Sequence, residues 1–203
     1  MDNYISIKNQ KISLTEEQAE RIVAALGVEQ VKLSNVQEGG TFKIGSYEFV
    51  LLELFTDTAA VILKNILPES TTFGSNNNYD GSNPDQACCA FAEELIPVIG
   101  SENLVPHTVD LTSNDGLKDY GQVERAASLL TADQYRQYVQ ILDKEKLDEW
   151  WWLATPWSTP SHESSSCVLC VSPSGYFYYG IYNRSDYGVR PFCILKSNIF
   201  VSK

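Results

Sequence analysis

Apolar and polar positions change pattern three times along the chain. At the start, Tyr4, Ile5 and Ile7 predict a short strand, and Ile12 with Leu14 a second. Thr15, followed by Gln18 three residues on, has the spacing of a capping box. Ala19, Ile22, Val23 and Leu26 then recur at helical intervals until Gly27 ends the run. This ββα unit has one apolar face and little core of its own. Residues 1–35 are therefore expected to dock on the main domain or to mediate a homo-oligomer.

The pattern changes near residues 36–40. Gly39-Gly40 and Gly45 bracket residues 41–44. Residues 47–55 and 59–63 are apolar, β-branched or aromatic, and predict paired strands joined by a turn at Thr56-Asp57-Thr58. Residues 70–83 form a polar loop rich in Asn, Gly and Ser. Pro84 suits the first turn of a helix, whose apolar stripe is Ala87, Phe91, Leu95 and Ile99 and whose end is Gly100. Thr131 caps a second helix carrying Tyr135, Tyr138, Val139 and Leu142. After Trp150 come short strands at 168–171, 176–182 and 189–195, set among serine- and tyrosine-rich loops. Strands, two central helices and a strand- and loop-rich last third make an α+β fold rather than alternating βαβ units.

Charge narrows the functions. The 203 residues hold 15 Lys+Arg against 26 Asp+Glu, a formal net charge of -11. Direct binding to a nucleic-acid backbone needs clustered cations and is disfavoured, as is an anionic membrane surface. No run of about 18 apolar residues is present, so no membrane insertion is expected. The first residues lack the apolar stretch of a secretory signal. The five cysteines, at 88, 89, 167, 170 and 193, then read as reduced thiols in a cytoplasmic or phage-virion setting.

Candidate chemistry is sparse. Cys167-x-x-Cys170 has the spacing of a metal knuckle or redox pair. Residues three apart on a strand point to opposite faces, and Cys88-Cys89 inside a helix is a poor second pair. Buried free thiols are the plainer reading, with no metal and no cofactor implied. His107 and His162 read as surface histidines in polar loops, though a Cys–His nucleophilic pair such as Cys167 with His162 is conceivable. Asp80, Asn83 and Asp85, after Asn76–Asn78, are a loose group of oxygen donors without the spacing of a calcium loop.

The tryptophans carry more. Neighbours on a strand alternate sides, so Trp150, Trp151 and Trp152 cannot all face one core. One or two of them should be buried, with Trp157 at a loop edge. Arg190, between Val and Pro, is expected to pair with a carboxylate or with backbone carbonyls.

Trp151-Trp152-Leu153-Ala154-Thr155-Pro156 opens the last third, and Gly188-Val189-Arg190-Pro191 closes it. This frame resembles a bacterial and phage domain family of unknown function in the C-type-lectin-like superfamily. There a Trp-Trp-Leu-Arg-Ser-Pro-like motif and a Gly-Val-Arg-Pro motif stand in the same order. Phe42-Lys43-Ile44-Gly45, residues 47–51, the Tyr79…Ser82 segment and Leu129-Leu130-Thr131 with Tyr135 are similar to further segments of that family. The resemblance spans residues 36–203 and implies a C-type-lectin-like domain. In it Trp151, Trp152, Pro156, Gly188, Arg190 and Pro191 are structural. Ala154 and Thr155 stand where the family has Arg and Ser, so a ligand role of that Arg does not transfer.

Between the two motifs the composition is that of a binding surface. Trp157, Ser158, His162, Tyr176, Tyr178, Tyr179, Tyr182, Asn183, Arg184, Asp186 and Tyr187 are the candidate ligand-binding residues. Tyrosine gives contact area at low entropy cost, and Ser, Asn and Asp give adaptable hydrogen bonds. The plainer alternative is an ordinary aromatic β surface. The superfamily includes the variable proteins of diversity-generating retroelements, which implies a non-enzymatic, phage- or prophage-associated protein binding a protein or glycan. Two alternatives stand beside it. One is an intracellular phage effector that meets a basic host-defence protein. The other is a copper or thiol oxidase, implied by the superfamily's formylglycine-generating enzymes.

Overall fold

The computed structural model describes residues 3–7, 10–15, 17, 18, 21 and 30–203. Its strands in chain order are β1 (Asn3–Ile7), β2 (Gln10–Leu14), β3 (Gln30–Lys32), β4 (Thr41–Ile44), β5 (Tyr47–Leu54) and β6 (Thr58–Leu63). Helix α1 (Asn83–Ile99) is followed by β7 (Leu104–Val105), β8 (His107–Asp110), β9 (Gln122–Arg125) and β10 (Ala127–Ser128). Helix α2 (Ala132–Leu142) leads to β11 (Trp151–Pro156), β12 (Cys167–Val171), β13 (Phe177–Ile181), β14 (Phe192–Lys196) and β15 (Phe200–Ser202).

β1 and β2 pair as a hairpin with Ile5 opposite Ile12. Thr15 and Gln18 make both capping-box bonds, at 2.9 and 3.2 Å. The helix expected through Ala19, Ile22, Val23, Leu26 and Gly27 lies outside the described residues, and the packing of that unit with it. Residues 30–35, assigned from sequence to the same unit, join the main sheet instead. β3 pairs with β15, and Leu33 is fully buried.

The main sheet has eight strands in the order β10-β14-β6-β5-β4-β15-β3, with β7 added on β14. Every strand pairing described is antiparallel. The continuous apolar runs of β5 and β6 follow from burial on both faces. Phe49, Leu51, Val61 and Leu63 pack with Phe91 and Leu95 of α1. Their neighbours Val50, Leu52, Ala60 and Ile62 pack with Tyr135, Tyr138 and Leu142 of α2. The sheet thus lies between two helices, and each large side chain so buried contributes about 2 kcal/mol.

Local chemistry sets the helix ends. Ser82 caps α1, its hydroxyl oxygen accepting from Asp85 N at 3.2 Å, and Pro84 occupies the first turn. Gly100 ends it at φ 84°, a conformation that favours glycine. The buried face of α1 is Cys88, Phe91, Ala92 and Leu95, one residue round from the expected stripe, with Ala87 and Ile99 only half-buried. Thr131 and Gln134 close a capping box on α2. Val139, expected on its apolar face, is exposed and belongs to the opposite side.

β11, β12 and β13 form a separate three-stranded sheet in that order, so β13 is an open edge. Trp152 joins the α1-side core and Trp151 the α2-side core, as alternation on one strand demands. Trp150, just before the strand, is half-buried. Gly188 ties this sheet to the following segment, donating to Trp150 O at 2.7 Å and accepting from Trp152 N at 3.0 Å. Among the described residues no helix is long and apolar enough to cross a membrane.

Candidate functional site

The edge strand β13 and the loop from Trp157 to Ser166 present most of the sequence-selected residues. Register pairs Leu169 with Tyr179, Cys170 with Tyr178 and Val171 with Phe177. Side chains on β13 therefore alternate. Phe177 turns toward the α2-side core and meets Tyr135 at a centroid distance of 4.9 Å. Tyr179 and Ile181 continue that face beyond the core, and Trp157 lies against Tyr179 at 4.9 Å. On the other face Tyr178 meets the edge of Trp150 at 5.2 Å.

The result is an aromatic ridge open to solvent. Tyr176 is 68% exposed, Tyr179 56%, Tyr178 53%, Ile181 51% and Trp157 41%. Asn183, Arg184 and Asp186 are exposed at its end, where Arg184 grips Asp186 through two bonds of 2.9 and 2.7 Å. His162 is exposed on the neighbouring loop.

Three residues selected from sequence are covered, two of them almost wholly and one in part. Tyr187 is 6% exposed, stacked on Trp150 at 5.4 Å and leaning on Trp152 at 4.4 Å. Ser158 is 4% exposed and donates to Asp115 Oδ2 at 2.7 Å. Tyr182 is half-buried against the core. Their chemistry matches that of the exposed residues; what covers them differs. Gly180 decides much of this, because a Cβ there would lie 2.7 Å from the Tyr187 ring and 3.1 Å from Trp152.

The loop is anchored by residues that sequence reasoning passed over. Asn77, fully buried, donates to Ser158 O at 2.8 Å and Cys167 O at 2.9 Å, and accepts from Tyr120 Oη at 2.7 Å. Asp115 accepts from Ser113, Ser158 and His162 Nδ1, the last at 3.0 Å. Those hydroxyls, Ser113 foremost, hold its carboxyl well below the usual carboxylate range. Asp119 accepts from Thr159 Oγ1 at 2.7 Å and Ser161 N at 3.1 Å, which lowers its pKa too. Neither aspartate stands in a recognisable motif. The one available signal was a pair of acids facing a Ser/Thr-rich loop across about 40 residues.

Ser158 donates to Asp115 at 2.7 Å, and the sulfur of Cys167 lies 3.7 Å from Ser166 Oγ. Cys167 and Cys170 sit on opposite faces of β12. Burial pushes the Cys170 thiol up to about 12, and pushes Cys88 and Cys193 up as well. All five cysteines are free. Among the described residues no group of three or more His, Cys, Asp or Glu is arranged to hold a metal ion. The oxygen donors near residue 80 serve a cation already present: Asp80 and Asp85 both bind Arg125, at 2.7 Å.

His107 corrects a further expectation. It lies on β8, not in a polar surface loop, with Nε2 2.8 Å from Ser128 Oγ and its ring edge-on to Phe192 at 5.1 Å. Desolvation lowers its pKa to about 4. The structural set is placed as a frame: Trp151, Trp152, Pro156, Gly188, Arg190 and Pro191 are all buried. Arg190 donates to Leu63 O and Lys64 O, each at 2.9 Å.

Comparison with known proteins adds no neighbour: no family model, no curated protein and no solved structure matches the chain.

Proposed function

We propose that this chain is a non-enzymatic binding protein whose contact surface is the β13 edge with the Trp157 loop. The observation that carries the reading is the exposure of Trp157, Tyr176, Tyr178, Tyr179 and Ile181 along one strand edge and its neighbouring loop. Large apolar side chains gathered in the open like this mark an interaction site more often than singly scattered ones do. Tyrosine and tryptophan supply contact area with few rotamers to freeze. The anchoring of the loop by Asn77, Asp115 and Asp119 supports a surface held in place before the ligand arrives.

The finer assignment belongs to the same proposal. Residues 36–203 are read as a C-type-lectin-like domain, phage- or prophage-associated, on the Trp151-Trp152…Gly188-Val189-Arg190-Pro191 frame. The ligand class is a protein or glycan.

The test is a quadruple variant in which Trp157, Tyr176, Tyr178 and Tyr179 become alanine. Wild-type protein is run over a glycan array and an immobilised bacterial surface-protein fraction beside it. The expected result is a discrete bound set for wild type, lost in a variant of unchanged melting temperature. Capture by the variant equal to wild type overturns the proposal. Capture abolished by salt rather than by the substitutions turns the reading to an acidic protein meeting a basic partner.

A further inference from the structure

Strand β13 ends its sheet with half of its backbone groups used. At one end of its pairing with β12, Ser172 N donates to Tyr176 O at 3.0 Å; at the other, Tyr182 N donates to Ser166 O at 2.9 Å. Antiparallel pairs alternate along the register, so Tyr178 and Gly180 also bond inward to β12. Phe177, Tyr179 and Ile181 turn their N–H and C=O groups the other way. Ile181 O is met by Arg184 N at 3.0 Å. The N–H groups of all three, and the carbonyls of Phe177 and Tyr179, have no partner among the described residues.

This edge is unguarded. Natural edge strands carry a charge, a proline or a bulge, or are very short. The ends of the main sheet follow that rule: β3 is three residues with Lys32, and β10 is two. β13 is five residues, Phe-Tyr-Tyr-Gly-Ile, in unbroken register with β12. From Ser164 to Asn183 no residue is charged, although 20% of the chain is and its net charge is -11. Two copies of so acidic a chain repel each other, and this stretch lets them touch without setting carboxylates together.

We propose that a second copy of this chain covers the β13 edge, the two β13 strands pairing antiparallel about a two-fold axis at Tyr179. The open groups are spaced evenly on either side of Tyr179. The axis therefore sets Tyr179 opposite the partner's Tyr179, and Phe177 opposite the partner's Ile181. The two Tyr179 residues exchange both backbone bonds, and each Ile181 N donates to the facing Phe177 O. Aromatic and β-branched side chains then stand opposite one another across the strands. The two three-stranded sheets fuse into one, and the Trp157–Tyr179 surfaces of both copies adjoin. The pairing uses the backbone rim of the strand and the ligand reading uses its side chains, so either can fail alone.

Sedimentation equilibrium tests the pairing. Wild type should rise from the monomer mass toward twice that mass with increasing concentration. Association should tighten as added sodium chloride screens the net charge. Tyr179→Pro removes an N–H that β12 does not use, so the fold should survive and the dimer weaken about tenfold or more. Tyr179→Glu and Tyr179→Lys each set like charges across the axis and should be monomeric alone; mixed in equal amounts they should associate. No other antiparallel register sets residue 179 against itself. A wild type that stays monomeric overturns the proposal and leaves the edge to an extended segment of another protein. A dimer weakened by salt, a dimer that survives Tyr179→Glu, or a mixture that stays monomeric overturns it as well. If the Tyr179 variants fail to fold, amide exchange on wild type decides: the Tyr179 and Ile181 N–H groups should slow with rising concentration, and unchanged rates overturn the proposal.

Discussion

Trp157 packs against Tyr179 with planes inclined at 43°, joining the loop after β11 to the open edge of β13. Both rings keep about half their surface in water, so the pair contributes little to folding and much to any contact made over it. Trp157→Ala should weaken ligand capture about 30-fold, the loss of a central aromatic anchor of about 2 kcal/mol. The melting temperature should fall by less than about 3 °C. Titration against the captured ligand and a thermal scan of the same sample check both halves.

Asn77 behaves in the opposite way. Asn77→Ala removes three hydrogen bonds, one buried and two part-buried, and leaves Ser158 O and Cys167 O without this donor. The expected cost is about 2–4 kcal/mol. Amide exchange in residues 158–167 should speed up before that of β5 or β6, measured by hydrogen–deuterium exchange.

Gly180→Ala should destabilise by about 1–3 kcal/mol, because the added methyl meets the Tyr187 and Trp152 rings. Near-ultraviolet circular dichroism should lose aromatic signal in this variant. A denaturation midpoint unchanged from wild type would show that Tyr187 can move away freely.

His107 gives the protein a pH dependence of defined sign. Its folded-state pKa is about 4, below the ordinary value of 6.5, so the unfolded chain takes up the proton first. The stabilising contribution is complete above about pH 6.5 and is lost as pH falls toward 4, by about 3 kcal/mol in all. His107→Gln should flatten urea midpoints across that window. The lowered carboxyls of Asp110, Asp115, Asp119 and Asp186 act at lower pH, and their contribution should survive in the variant.

If the ridge is diversified by a retroelement, flanking DNA should hold a near-copy of codons 150–190 differing at adenines, beside a reverse-transcriptase gene. Varied positions should fall on Trp157, Tyr176, Tyr178, Tyr179, Asn183 and Asp186. They should spare Gly180 and Tyr187, whose rings and backbone are in contact. Sequencing the locus checks the expectation.

Features set by a few neighbouring residues were legible in the chain. The capping box at Thr15, the cap at Thr131, the Pro84 start and the Gly100 stop all rest on local geometry. The runs that became β5 and β6 were visible because burial on both faces leaves residues 49–52 and 59–63 without a polar position. Strands β7 to β10 were not, since two to four residues carry no period and their partners are distant; Val105 pairs with Ile194. The same distance hid His107, buried by Phe192. At the candidate site the residue types were readable and their exposure was not. Tyr178 and Tyr187 both touch Trp150, and what buries Tyr187 is the further cover of Trp152 and the space above Gly180.

The pairing of β15 with β3 and β4 has a consequence for biosynthesis. β15 lies about 160 residues downstream of both partners. β15 can pair only after it has been synthesised and has left the ribosome, so this end of the sheet stays open while the intervening residues are made. While it waits, β4 offers an unpaired rim to other nascent copies. A translational pause between α1 and β15 would lengthen that exposure, whereas one before β4 would not.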